Sequence, residues 1–114
     1  MQLDFSDYDA AQDMITIIEM EKSLSPIDAI KFCINQDTYN QILKTGWASI
    51  AVSLWGHDDP EREWSKMKTP YLEVEIEEDK QKLVDDIVLK EKVDIEMAIS
   101  YFLIFTMQKM GYHI

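Results

Sequence analysis

The chain has 114 residues, 46% of them hydrophobic, and a formal charge of −11 from 22 acids against 11 bases. That length suits one domain around a single core, and that hydrophobic content excludes a disordered chain. The acid excess argues against nucleic-acid or anionic-membrane binding, because both need a basic patch, and it permits a basic protein as partner.

Cys33 is the only cysteine, so no internal disulfide forms. The acidic start from Met1 to Asp7 shows no apolar signal core, and a cytoplasmic protein is expected.

Ser6 is a natural N-cap, and Tyr8, Ala11, Ile15 and Ile18 recur at helical spacing, which predicts a helix over about 7–22. Ser25 with Pro26 at the first helical position starts a second, short helix, with Ile27, Ile30, Cys33 and Ile34 on its inner face. Cys33 therefore reads as a small core residue. Asp37 reads as the cap of a third helix running to about residue 55 and closed by Gly56. Its stripe is Tyr39, Ile42, Leu43, Gly46, Trp47, Ile50, Ala51 and Leu54. Gly46 on that stripe suggests close approach to another helix.

Asp59 and Pro60 read as the start of a short helix carrying Trp64 and Met67 and ending before Pro70. In Tyr71–Glu77, Leu72, Val74 and Ile76 alternate with Glu73, Glu75 and Glu77, the two-residue period of a half-buried strand. Its expected partner is the stretch 2–5. A helix from Glu78 or Asp79 to about Lys90 follows, and Asp94 then caps a helix over roughly 94–110, ended by Gly111. From Met97 to Met107 that last helix is apolar on every face, interrupted only by Ser100 and Thr106, whose hydroxyls can bond back to its own carbonyls. Its apolar run, about 16 Å at ~1.5 Å per residue, is too short to cross a bilayer of ~30 Å. The expected fold is mainly α: about five helices around a buried C-terminal helix, with one short two-stranded β element.

Signatures of chemistry are sparse. His57 and His113 stand in no helix pair typical of zinc or di-iron sites, and there is no calcium loop, phosphate loop or nucleophile elbow. Glu75 and Glu78, then Glu91 and Asp94, form an E-x-x-E and E-x-x-D spacing. It resembles the all-α nucleoside-triphosphate pyrophosphohydrolases of the MazG and dUTPase type. The resemblance covers about twenty positions and implies four carboxylates on facing helices that hold magnesium. The local pattern opposes this: on a strand, Glu75 and Glu78 point to opposite sides, and Glu91 and Asp94 fall at a helix break. No cofactor or metal is expected.

The acids of 58–79 carry more weight. On a strand, Glu73, Glu75 and Glu77 line one face ~7 Å apart, and each adjacent pair repels by only ~0.6 kcal/mol in water. Glu78 and Asp79 extend that ridge, while Asp58, Asp59, Glu61 and Glu63 precede it, with Trp64 and Tyr71 between. Carboxylates interleaved with amphipathic aromatics suit a surface that grips a basic protein. The first functional reading is a non-enzymatic binding protein that neutralises a basic partner, most concretely a bacterial immunity or antitoxin-type inhibitor of a toxin such as a nuclease. An acidic adaptor or secretion chaperone is the second, a mimic of DNA charge the third, and the pyrophosphohydrolase the last.

Overall fold

The computed structural model describes residues 1–57, 61 and 63–112. Asp58, Asp59 and Pro60, and with them the expected helix start, lie outside the described residues. The elements run β1 (Gln2–Asp4), α1 (Asp9–Lys22), α2 (Pro26–Cys33), α3 (Gln36–Thr45), α4 (Ala48–Leu54), β2 (Tyr71–Glu73), α5 (Glu78–Glu91) and α6 (Ile95–Lys109).

The mainly helical fold around α6 is as the sequence predicts. Ala98 through Met107 are all buried, and α1, α2, α3, α4, α5 and β1 pack around them. The two polar interruptions behave as expected: Ser100 Oγ donates to Glu96 O and Thr106 Oγ1 to Phe102 O, each at 2.8 Å. No helix among the described residues is long and apolar enough to cross a membrane.

The strand prediction also holds, over a shorter span. β1 and β2 pair antiparallel with Gln2 opposite Glu73, Leu3 opposite Leu72 and Asp4 opposite Tyr71. Bonds from Phe5 N–H to Pro70 O (3.0 Å) and Val74 N–H to Met1 O (2.8 Å) continue the ladder at both ends. Leu3, Phe5 and Val74 face the core, and Glu73, Glu75 and Glu77 are exposed, which preserves the alternation.

Four local expectations are corrected. Ser6 does not cap α1: its N–H is taken by Asp4 Oδ1 at 3.0 Å in the turn after β1, and the helix starts two residues later with Tyr8 at the cap. Asn35, not Asp37, caps α3, because its Oδ1 accepts Thr38 N–H at 3.0 Å while Asp37 already lies in the first turn. The helix expected to run from 37 to 55 breaks in two at Gly46, which adopts φ +65°. A Cβ on Gly46 would touch nothing within 4 Å, so its role is the left-handed turn and not close helix approach.

The fourth correction concerns 63–69, which is not helical. Two buried polar side chains of α1 hold it: Asp13 Oδ1 accepts Ser65 N–H at 3.1 Å and Gln12 Oε1 accepts Met67 N–H at 3.0 Å. Backbone donors taken at every second residue cannot also serve a helix.

Phe102 is wholly buried at the centre of this packing, whereas Leu89 is 77% exposed. Phe102→Asp is expected to cost more than about 4 kcal/mol and abolish cooperative urea unfolding. Leu89→Asp is expected to stay within about 0.5 kcal/mol of the parent in the same measurement.

Candidate partner-binding site

The β1–β2 pair turns one face to the core and the other outward. Gln2, Asp4, Tyr71 and Glu73 line the outer face, and above them lies a shallow concavity of about 480 Å³, bordered also by Leu3, Leu72 and Glu96. Its lining holds three carboxylates and one tyrosine, with no base. Tyr71 is 65% exposed. Glu96 Oε2 accepts the Asp4 N–H at 3.1 Å, which ties the first turn of α6 to β1. Hydrogen bonds from Ser6, side chain first and backbone second, hold the Asp4 carboxyl below its usual range and keep it ionised. Such a surface offers a cation negative potential and an aromatic face, on a support fixed by buried Leu3, Phe5 and Val74.

The other residues singled out in the sequence lie elsewhere. Trp64 is half-buried, edge-on to His57 at 5.8 Å, and lines a separate cleft of about 460 Å³ with Asp7, Tyr8, Asp9, His57 and Lys66. Lys66 there pairs with Asp9. Glu61 and Glu63 are exposed. Glu75 and Glu77 border a third, small hollow with Lys31 and Lys80, whose Nζ donates to Lys31 O at 3.3 Å. Glu78 approaches Lys82 one turn along α5 at 4.0 Å, and Asp79 Oδ1 accepts Lys80 N–H at 3.0 Å. The run 73–79, free of bases along the sequence until Lys80, is therefore bordered by lysines in space beyond Glu73. Asp58 and Asp59 lie outside the described residues.

Asp4 and Glu96 complete the concavity and were not singled out from the sequence. The expected pairing of 2–5 with 71–77 could have placed Asp4 beside Tyr71, given the register. For Glu96, 92 residues from Asp4, no local signal exists.

The four carboxylates of the pyrophosphohydrolase-like spacing do not converge. Glu78 and Glu91 are the first and last residues of α5, about 20 Å apart along the axis at ~1.5 Å per residue. Asp94 Oδ2 accepts the Tyr8 hydroxyl at 2.7 Å. Among the described residues no group of three or more His, Cys, Asp or Glu is placed to hold a metal. Cys33 is buried, and burial pushes its thiol up to about 12.

A second surface emerges at α4. Ala48, Ala51 and Val52 face the core, while Ile50 (57% exposed) and Leu54 (51%) point out beside Trp47, whose ring meets Phe105 edge-on at 5.7 Å. The break at Gly46 is what separates these side chains from the buried stripe on which the sequence placed them. Residues 38–57, which include α4, contain one lysine and no acid. No family model, curated protein or solved structure matches the chain.

The hydrogen bond to Asp94, with burial and the Asp94 charge behind it, raises the Tyr8 hydroxyl to about 12, from a free value of 10.0. A folded-state value above the unfolded one means that this contribution is complete below pH 10 and is lost as pH rises through about 12. Thermal melts between pH 9 and 12 are expected to show that loss, and Tyr8→Phe is expected to flatten the fall over the same window.

Proposed function

We propose that the chain is a non-enzymatic acidic binding protein that neutralises a basic protein partner in the cytoplasm, in its most concrete form a bacterial immunity or antitoxin-type inhibitor of a toxin such as a nuclease. The observation that carries this reading is the concavity over the sheet, where Asp4, Glu73 and Glu96 surround an exposed Tyr71 without a base in the lining. Carboxylates at such a surface accelerate encounter with a cationic partner and pair with its Lys or Arg side chains. A tyrosine supplies contact area at low entropic cost, the usual anchor of a binding hot spot. The net charge of −11 adds a long-range pull in the same direction.

Affinity capture from the native host tests this, followed by kinetics on the captured protein. The expected partner is basic, binds 1:1 and loses its activity in the complex. Its association rate is expected to fall about tenfold or more between ~50 and ~500 mM salt, with a smaller change in dissociation. Charge reversal at Glu73, Glu75 and Glu77 is expected to slow association further while leaving the melting temperature in place, since all three are exposed. A neutral or acidic partner, or salt-independent association, refutes the reading.

The exposed face of α4 favours a second reading, an acidic adaptor or secretion chaperone that works as a dimer. An uncharged apolar face lets two copies meet without apposing their acids. Sedimentation equilibrium decides it: this reading expects a dimer that Ile50→Lys converts to monomer, and a wild-type monomer at high concentration removes it.

A further inference from the structure

The ladder between β1 and β2 uses one set of backbone groups and turns the alternate set outward. Val74 N–H donates to Met1 O and the Met1 nitrogen to Val74 O, both at 2.8 Å, so Met1 and Val74 form a hydrogen-bonded pair. With this register Leu3 and Leu72 form the next such pair, and Gln2, Asp4, Tyr71 and Glu73 direct their N–H and C=O groups away from the opposite strand. The two outer edges then differ. On β1, the Asp4 N–H is taken by the Glu96 carboxylate. On β2, the backbone groups of Tyr71 and Glu73, and of Glu75 two residues on, have no hydrogen-bond partner among the described residues. All three residues are exposed.

We infer that the outer edge of β2 receives an extended segment of the partner as a third strand, with Lys or Arg at alternate positions and apolar residues between them. The inference rests on the acidic-inhibitor reading and specifies how the partner docks. The alternation follows from the two faces of the edge. Outward, Glu73, whose surroundings hold no base, calls for a base opposite it. On the other face, half-buried Leu72 and Ile76 favour apolar neighbours, and Lys31 and Lys80, in the hollow that Glu75, Ile76 and Glu77 border, limit the bases that end of the edge takes. A second copy of the chain is the wrong occupant, because pairing two β2 edges would set Glu73 and Glu75 near their own equivalents. An open strand edge of this kind is a known route for adding a peptide strand through main-chain bonds.

The test uses two synthetic peptides of the sequence Lys-Val-Arg-Val-Lys-Val, one unmodified and one N-methylated at alternate amides, with amide hydrogen exchange followed by NMR. At saturation the unmodified peptide is expected to slow exchange at Tyr71 and Glu73 by about fivefold or more, and the methylated peptide of equal charge is expected not to. Glu75→Pro removes one outward N–H and spares the Met1–Val74 pair. It is expected to weaken the unmodified peptide about threefold more than Glu75→Gln, which removes the charge alone. Salt-dependent binding of both peptides without protection at Tyr71 and Glu73 overturns the third strand and leaves the acidic-inhibitor reading standing. Failure of both peptides to bind at low salt also overturns it, while that reading is then decided separately by the captured partner.

Discussion

A helix without a polar face imposes its needs on every other element. Ala98 through Met107 project apolar side chains around the whole circumference of α6, and water must be kept from all of them. Five helices and β1 are arranged about that one rod, each giving its own apolar stripe to it. Among the described residues Asp13 is the one acid buried in the centre, and the others lie outside. The exposed carboxylates of Asp4 and Glu73 and that of Glu96 beside them follow from that segregation as much as from local sequence.

A second, polar constraint fixes the segment that leads into β2. Gln12 and Asp13 are buried on α1, and each carries several bonds at once. Gln12 Nε2 donates to Phe5 O at 2.7 Å while its Oε1 accepts from Met67, and Asp13 accepts Trp55 Nε1 at 2.6 Å as well as Ser65 N–H. Two adjacent side chains thus fasten the end of β1, the end of α4 and the run 65–67 to one helix. Buried polar networks of this kind are costly when half-made and rigid when complete. Here the result is that Pro70 and Tyr71 arrive opposite Phe5 and Asp4 in a fixed register, and the acid-bearing face of the sheet is set with them.

What could be read from the sequence follows the same division. Local patterns gave reliable guidance where one face decides the outcome: the apolar run of α6, the alternation of Leu72, Val74 and Ile76 against glutamates, and the Ser25–Pro26 helix start. They misled where distant groups decide. The backbone of 63–69 is captured by side chains more than fifty residues earlier, which no local period reveals. Ile50 and Leu54 continue the helical stripe of Ile42 on paper, yet a single left-handed residue at Gly46 re-aims α4 so that Ala48, Ala51 and Val52 face the core, while Trp47 at its cap keeps an edge on Phe105 of α6. Half of the concavity was legible as Tyr71 and Glu73. Its other carboxylates come from the opposite strand and from a helix 92 residues away.

The distribution of charge also bears on what the proposed basic partner would do for the fold. Twenty-two acids against eleven bases leave the folded chain repelling itself, and compaction raises that cost relative to the unfolded chain. Among the described residues Lys66 pairs with Asp9, Lys82 with Glu78 and Lys90 with Asp86, all at exposed or half-exposed sites where such pairs contribute little. A cationic surface laid against the sheet would relieve repulsion among Asp4, Glu73 and Glu96 that the fold itself leaves in place. By linkage, a partner that binds only the folded form also stabilises it, so recognition and stability draw on one unbalanced field. In this reading the acid excess is a strain carried by the free protein and discharged in the complex.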